Sequence, residues 1–271
     1  CEPYQTVYLP AMDAPCPMAY MASAGEAELA WDFLSAAWGP DAMVPVTYQN
    51  SMADVKAFCG QRGGAVCTSS NAPAVFRWAL GQGKRILFFP DEWLGTNTAL
   101  AIGLAPAEIA VWDPLQPIGG NPELEATRVM AWKGFCHVHA DMTVEDVAAA
   151  RRRDPAAIVI VHPECRVEVV QAADAAGSTS FIMQQIEGAP AGASFVVGTE
   201  CHMVHRMAGQ HPDKRIVPLS ERFCPTMGRT TPARLLYTLE AIIAGQPAGE
   251  IRVDPEIARW ANLALQRMLS I

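Results

Sequence analysis

Short apolar runs alternate with alanine-rich amphipathic segments along most of the chain. The runs are continuous, rich in β-branched or aromatic residues and bounded by turn residues; they span 43–48, 85–89, 157–161, 194–197 and 215–217. Continuous apolar strands are typical of parallel sheets that helices cover on both faces. The pattern therefore predicts an α/β protein with short parallel sheets.

Two of the intervening segments carry helix-start signals. Thr143 can cap a helix that runs to Arg153, and Thr231 followed by Pro232 opens another that reaches Ile243. A threonine side chain accepts a hydrogen bond from the first helical turn, and proline is tolerated at the first helical position. We expect helices in both places.

The strands and the polar motifs that follow them occur twice in the same order. Residues 48–50 (Tyr-Gln-Asn) match 162–164 (His-Pro-Glu), 67–70 match 177–180, and 89–91 match 198–200. Each block ends in a turn with a cysteine, Cys136 or Cys224, and a third such ending, Cys16, lies near the N-terminus. An internal repeat of this length predicts a pseudo-threefold arrangement of three-layer α/β domains, with the first domain largely missing from this chain.

The repeat suggests a division of the chain. We expect a remnant of a first α/β domain over 1–20, a second domain over 21–136, a third over 137–224 and a C-terminal helical segment over 225–271. The block that ends at Cys136 is the longer one, and its surplus falls in 104–132, which is rich in proline and glycine. We interpret that stretch as an inserted surface loop that can act as a lid. A second chain could supply the missing first domain.

Composition narrows the class of partner. The 271 residues are 51% hydrophobic and carry a net charge of −8 without long charged runs. Nucleic acids and anionic membranes are bound by clustered lysine and arginine, so neither is an expected partner, and a small molecule is. Neither a signal peptide nor a long apolar run is present, which makes the cytoplasm the expected location.

The cysteines point to a metal site rather than to disulfides. Eight are present, none in a CxxC pair, in a chain large enough to be stable without disulfide bonds. Cys16, Cys136 and Cys224 each end a repeat unit, so a threefold arrangement would bring their thiols together. Three thiolates suit a [4Fe–4S] cluster with one iron free of protein ligands, and a zinc ion is the alternative. The other cysteines considered, namely Cys59, Cys67, Cys165 and Cys201, are expected to be inert buried thiols.

Polar residues cluster where the predicted strands end, which is where parallel sheets bind ligands. His162 and Glu164 follow a strand and can act as an acid/base pair. The hydroxyl groups that precede helical segments can bind anions or simply cap the helices; they belong to Ser69, Ser70, Ser178 and Thr179. His137 and His139 would point in opposite directions if extended, so only one can face the site.

These motifs together resemble one family, the quinolinate synthases. The resemblance runs from about Val7 to the C-terminus, and its motifs stand in the family's order at 15–19, 48–50, 55–57, 67–72, 89–91, 94–95, 134–139, 161–165, 173–174, 177–180, 199–200 and 224–227. It implies three α/β domains, a [4Fe–4S] cluster on Cys16, Cys136 and Cys224, and the condensation of iminoaspartate with dihydroxyacetone phosphate to quinolinate, a precursor of NAD.

The resemblance also implies roles for individual residues. Glu164, His139 and Tyr48 would be catalytic, with Glu164 as the acid/base. The substrate-binding residues would be Asn50, Ser69, His162, Ser178 and Thr179.

The chain departs from the family pattern in three places. The family's first domain carries His-x-Tyr and Asp-Ser motifs that are not found here, Pro15 replaces the glycine usual before the first cluster cysteine, and the 104–132 segment is unusual. Two alternatives therefore remain. The chain could be a divergent enzyme that makes another pyridine carboxylate, or a non-catalytic cluster-binding sensor.

Overall fold

The computed structural model describes residues 7–271; residues 1–6, and with them the start of the predicted first-domain remnant, lie outside the described residues. The strands are β1 (Val7–Tyr8), β2 (Met43–Tyr48), β3 (Ala65–Cys67), β4 (Arg85–Phe89), β5 (Ile109–Trp112), β6 (Val129–Trp132), β7 (Ile158–Val161), β8 (Ala175–Ala176), β9 (Ser194–Gly198), β10 (Arg215–Pro218) and β11 (Glu250–Ile251). The helices are α1 (Ala24–Trp38), α2 (Ala53–Gln61), α3 (Ala72–Gly81), α4 (Glu92–Ala101), α5 (His137–Ala140), α6 (Val144–Arg153), α7 (Val167–Ala172), α8 (Thr179–Gly188), α9 (Cys201–Gln210), α10 (Pro232–Ile243) and α11 (Pro255–Ser270).

The region predicted as the second domain is called the first unit from here on, and the region predicted as the third domain is called the second unit. The first unit is built on a five-stranded parallel sheet in the order β3-β2-β4-β6-β5. All six residues of β2 are buried, as expected for a strand covered on both faces. Separate apolar clusters lie on the two faces: Phe76 and Phe88 pack on one, and Phe58 and Trp132 on the other. The sequence prediction of an α/β class is confirmed.

The second unit repeats this topology with one strand fewer. Its parallel sheet has the order β8-β7-β9-β10, which matches β3-β2-β4-β6 strand for strand. When the two strand orders are aligned, β2 corresponds to β7 and β4 to β9. The polar motifs that the sequence analysis matched therefore follow corresponding strands. The predicted internal repeat is therefore confirmed by the strand order of the two sheets.

The extra strand β5 corrects the prediction for 104–132. That segment is not a surface loop throughout: β5 and β6 lie within it and pair with each other in parallel, and β6 also pairs with β4. All four residues of β6 are buried. Apart from Pro106, which precedes β5, the proline and glycine residues of this segment lie in the connection between the two strands, where Gly119 adopts a positive φ of 61° against the ring of Trp112.

The predicted helices are confirmed with their caps. Thr143 caps α6 through a capping box with Asp146, and Thr231 caps α10 with Pro232 in the first turn. The C-terminal segment returns to the first unit, because α11 packs against α2 so closely that Gly60 contacts the backbone of Trp260. The pair β1–β11 is antiparallel. No helix among the described residues has the length and apolar character needed to cross a membrane.

Candidate active site and metal centre

A cavity of about 390 Å³ lies where the carboxyl ends of the two sheets meet the loop around Cys16. Most of the residues predicted as site residues line it, from both units: Cys16, Tyr48, Asn50, Cys136, His139, His162, Glu164, Thr179 and Cys224. The ends of parallel strands are the expected position for such a cavity. The connection between β5 and β6 contributes no lining residue, so the structure gives no support to the predicted lid.

The three predicted ligand cysteines come from three separate loops and are all free thiols. Cys16 precedes a 3₁₀ turn over Pro17–Tyr20, Cys136 stands just before α5, and Cys224 follows β10 in the second unit. Burial raises the pKa of Cys16, and the neighbouring Glu164 and Cys224 raise it further. Burial, followed by Glu164, also raises the pKa of Cys136. Both thiols therefore carry their protons at neutral pH in the absence of a metal, and a metal that bound them would displace those protons.

Contacts between the loops link the segment around Cys16 to the segments around the other two cysteines. The indole Nε1 of Trp132 donates to the carbonyl of Met21 at 2.6 Å, and the backbone N–H of Phe135 contacts the Met21 sulfur at 3.3 Å. These contacts join the loop after Cys16 to the loop before Cys136. On the other side of Cys16, Asp13 forms ion pairs with Arg229 and Arg234, beyond Cys224. The convergence of the three thiols thus depends on tertiary contacts along the whole chain.

His139 is hydrogen-bonded on both sides of its ring. Its Nδ1 lies 2.7 Å from Oε2 of Glu164 and its Nε2 lies 3.1 Å from the hydroxyl of Thr199. A carboxylate can only accept, so Nδ1 donates to Glu164 when that residue is ionised, and Nε2 of the neutral ring accepts from Thr199. His137 and His139 both belong to the short helix α5, so the segment is not extended; of the two, His139 lines the cavity, as predicted.

His162 stacks on His139 with ring centroids 4.5 Å apart. The backbone N–H of Glu164 donates to its Nδ1 at 3.3 Å, which leaves Nε2 to carry the proton of the neutral ring and donate to Ser69 at 3.3 Å. Burial lowers the pKa of His162 to about 4. The ring is therefore neutral near pH 7 and serves as a hydrogen-bond donor.

Glu164 is buried at the centre of this group, with 3% of its surface exposed. Burial by itself would raise its pKa, but His162 and His139, together with Tyr48, outweigh burial and hold the pKa of Glu164 below its usual range. Burial and then Glu164 raise the pKa of Tyr48, so that hydroxyl keeps its proton. The site thus combines a buried carboxylate, which is ionised at neutral pH and has lone pairs to accept a proton, with neutral hydrogen-bond donors.

The predicted hydroxyl groups differ in their positions. Ser69 contacts His162, and Thr179 is exposed at the first residue of α8, where it lines the cavity beside Asn50. Ser178 is the N-cap of α8 and accepts from the backbone N–H of Phe181 at 3.2 Å. Ser178 therefore fulfils the capping role that the sequence left open, and its part in substrate binding stays a prediction.

Sequence reasoning missed two functional contacts. Thr199 belongs to one of the repeated motifs, but no sequence pattern indicates that its hydroxyl forms a hydrogen bond with Nε2 of His139. The amide of Asn97 on α4 donates to the carbonyl oxygens of Pro163 and Cys165, at 2.9 and 2.7 Å, and so fixes the loop that carries Glu164. Asn97 stands in a helix of the first unit, where no local pattern signals a contact with the second.

A smaller donor set within the cavity could bind a single metal ion. The ligand atoms of Cys136, His139 and Glu164 all lie within 4.8 Å of one another. Iron and sulfide content separates a cluster on three cysteines from a mononuclear ion.

The remaining cysteines for which a role was predicted, Cys59, Cys67, Cys165 and Cys201, are buried and free, as expected of inert thiols.

Comparison with known proteins agrees with this site. The family model of the quinolinate synthetase A protein matches residues 1–270. The chain is 46% identical to the quinolinate synthase of Corynebacterium glutamicum over 271 residues, which cover 98% of this chain and 69% of that protein. It is 47% identical to the quinolinate synthase of a Nocardioides species (99% of this chain, 71% of that protein) and 44% identical to that of Acidobacterium capsulatum (98% and 74%). The chain belongs to the quinolinate synthetase A family.

Proposed function

We propose that this chain condenses iminoaspartate with dihydroxyacetone phosphate to form quinolinate, with release of phosphate and two waters, and that a [4Fe–4S] cluster bound by Cys16, Cys136 and Cys224 takes part. The observation that carries the proposal is the single cavity that joins these three free thiols to Glu164 and its histidine partners. A protein that used a cluster only for sensing would need the thiols without the buried acid/base group.

The residues around the cavity fit a cluster. Three free thiols from separate loops border a space of about 390 Å³, and a bound metal would displace their protons. When bound by three thiolates, a [4Fe–4S] cluster keeps one iron available as a Lewis acid for a substrate oxygen.

Glu164 is the proposed general base, because it is ionised and buried at neutral pH. Its carboxylate takes a proton from a substrate carbon, and the same carboxyl group then returns a proton to a departing hydroxyl. His139 donates Nδ1–H to Glu164 and so keeps the carboxylate oriented. Tyr48 keeps its proton and can donate a hydrogen bond to a substrate oxygen from the first unit.

Asn50 and Thr179 line the cavity as uncharged polar groups, from opposite units. Thr179 begins α8, so its backbone N–H is one of those left free at a helix start and is suited to a carboxylate or phosphate oxygen. His162 and Ser69 form a neutral hydrogen-bonded pair beside them. These groups are the proposed binding site for the small anionic substrates.

The proposal includes the predicted domain division, with units over 21–136 and 137–224, and a further α/β unit, in this chain or a second one, that completes the cavity. Supporting it, the curated relatives extend beyond the matched region. Helix α10 also exposes large apolar side chains, namely Leu235, Leu236, Tyr237, Leu239, Ile242 and Ile243. Exposed apolar patches of this kind are usual at interfaces.

The test is anaerobic purification followed by three measurements: iron and sulfide per chain, the visible absorption spectrum, and pyridine dicarboxylate formed from iminoaspartate and dihydroxyacetone phosphate. We expect iron and sulfide in equal amounts, together with quinolinate as product. Replacement of Cys16, Cys136 or Cys224 by alanine should remove the iron, whereas Cys67→Ala, at a buried thiol of the core, should retain it.

Three other outcomes would contradict the proposal. Stoichiometric zinc without iron would favour a mononuclear site. A cluster without any turnover would favour a sensor. A product other than quinolinate would indicate a divergent enzyme of the same family.

A further inference from the structure

We propose that Asp91 and Glu200 are positioning residues that anchor Cys136 and Cys224 for cluster binding. The inference rests on the proposed function, since it takes these two cysteines as ligands. It comes from one arrangement of hydrogen bonds that occurs in both units, at positions that the repeat makes equivalent. We refer to this arrangement, Asp91 with the loop of Cys136 and Glu200 with the loop of Cys224, as the carboxyl clamp.

In the first unit, Asp91 divides its two oxygens between a helix and a ligand loop. Its Oδ1 accepts from the backbone N–H of Leu94 at 2.6 Å, which caps α4. Its Oδ2 accepts from the backbone N–H of Cys136 at 3.2 Å. One side chain therefore fixes the ligand cysteine to the start of a helix that packs on the sheet.

In the second unit, Glu200 does the same with a longer side chain. Its Oε2 accepts from the backbone N–H of His202 at 3.0 Å and caps α9, while Oε1 accepts from the backbone N–H of Cys224 at 3.2 Å. The chemistry is conserved between the units although the residue type is not. This is the pattern expected where the hydrogen bond, and not the packing of one side chain, is the feature required.

The backbone completes the clamp identically in both units. The residue after the carboxyl group donates its N–H to the carbonyl oxygen of the residue two positions before the cysteine. These bonds are Glu92 to Gly134 at 2.8 Å and Cys201 to Arg222 at 2.9 Å. Each cysteine is thus held at two points of its loop by one helix start.

Burial makes these bonds difficult to replace. Asp91 has no exposed surface and Glu200 is 8% exposed, so water has little access to the N–H groups that they hold. Removal of a group that orients a metal ligand through a hydrogen bond typically lowers metal affinity by about 10- to 100-fold. The clamp is therefore expected to decide how firmly the chain retains iron at Cys136 and Cys224.

The experiment compares Asp91→Asn and Glu200→Gln in the full chain, reconstituted anaerobically. Each amide keeps one accepting oxygen and replaces the other with an NH₂ group that cannot accept an N–H. We expect release of iron to a chelator to accelerate by about 10- to 100-fold in either variant. Backbone hydrogen exchange should accelerate at Cys136 only in Asp91→Asn, and at Cys224 only in Glu200→Gln.

Thr143→Ala is the matched control, because it removes a helix N-cap that contacts no cysteine. It should leave iron release at the parental rate. Parental iron release in both carboxyl variants would overturn the inference, as would faster exchange spread evenly over both loops. If Asp91→Asn does not fold, iron release and hydrogen exchange in Glu200→Gln decide whether the inference holds. A parent that holds no cluster would refute the proposed function itself, which separates the two failures.

Discussion

The two units share a strand order and a carboxyl clamp, yet they differ at the end of their first strand. The first unit presents Tyr48 and Asn50 there, and the second presents His162 and Glu164 in the matching positions. At these matched positions the first unit offers neutral polar groups, and the second offers an ionised carboxylate beside a neutral histidine. Under the proposed function, the shared scaffold would hold the two proposed ligand cysteines, and the differing strand ends would divide substrate binding from proton transfer.

The strongest test of this division is Glu164→Gln. An amide cannot take a proton, so turnover should fall by about 10²- to 10⁴-fold, the usual loss for a general acid/base. The visible spectrum of the cluster should be unchanged, because the three cysteines stay in place. Steady-state quinolinate formation, measured with the iron content of the same sample, checks both statements.

Tyr48→Phe is the matching change in the first unit. It removes one hydroxyl donor, and we expect turnover to fall by about 10- to 100-fold, as for the loss of one hydrogen bond to a charged group. A larger effect for Tyr48→Phe than for Glu164→Gln would reverse the assignment of roles to the two units.

As the pH falls, the second unit should lose stability before the first unit does. The pKa of His162 is about 4 in the folded protein and near 6.5 when exposed, so the unfolded chain binds the extra proton between these values. The stability that depends on neutral His162 is complete above pH 6.5 and is lost progressively toward pH 4. At pH 5 the loss should be about 2 kcal/mol.

Urea unfolding at several pH values measures this loss, and hydrogen exchange locates it in β7 and β9. In His162→Gln, which has no titrating ring, the slope of stability against pH over this range should be smaller. An equal slope in the variant would show that other groups account for the acid sensitivity.

The smallest expected effect comes from a glycine-to-alanine substitution made in each of two corresponding helices, α4 and α9. In α4, a Cβ added at Gly95 would lie 2.6 Å from the ring of Phe88, so Gly95→Ala should destabilise by about 1–3 kcal/mol through overpacking. In α9, a Cβ at Gly209 meets nothing within 4 Å, so Gly209→Ala should stabilise by about 0.5–1 kcal/mol. Thermal or urea unfolding measures both, and equal signs would contradict the packing described.

Much of the fold could be predicted because the signals are local. Continuous apolar runs gave the strands at 43–48 and 85–89, and caps gave two helices. The repeat also predicted that Cys16, Cys136 and Cys224 would lie in one region, and all three line the same cavity. That inference needed only matched positions along the chain.

What could not be predicted depends on contacts distant in sequence. The strands β5 (Ile-Ala-Val-Trp) and β6 (Val-Met-Ala-Trp) are short apolar runs, but the proline- and glycine-rich connection between them made the whole segment look like a loop, and their pairing is set by register along the sheet. Thr199 and Asn97 act through single hydrogen bonds to residues far along the chain. A side chain that serves a distant backbone carbonyl leaves no periodicity or motif in its own neighbourhood.

The contact made by Asn97 has a consequence for exchanging parts between relatives. The amide belongs to a helix of the first unit, while the carbonyl oxygens that it holds flank Glu164 in the second. A chimaera that joined the first unit of one relative to the second of another would keep every proposed ligand and acid/base residue. It would still misplace Glu164 if the donor at position 97 were lost, so the two units have to match at this contact and are not interchangeable modules.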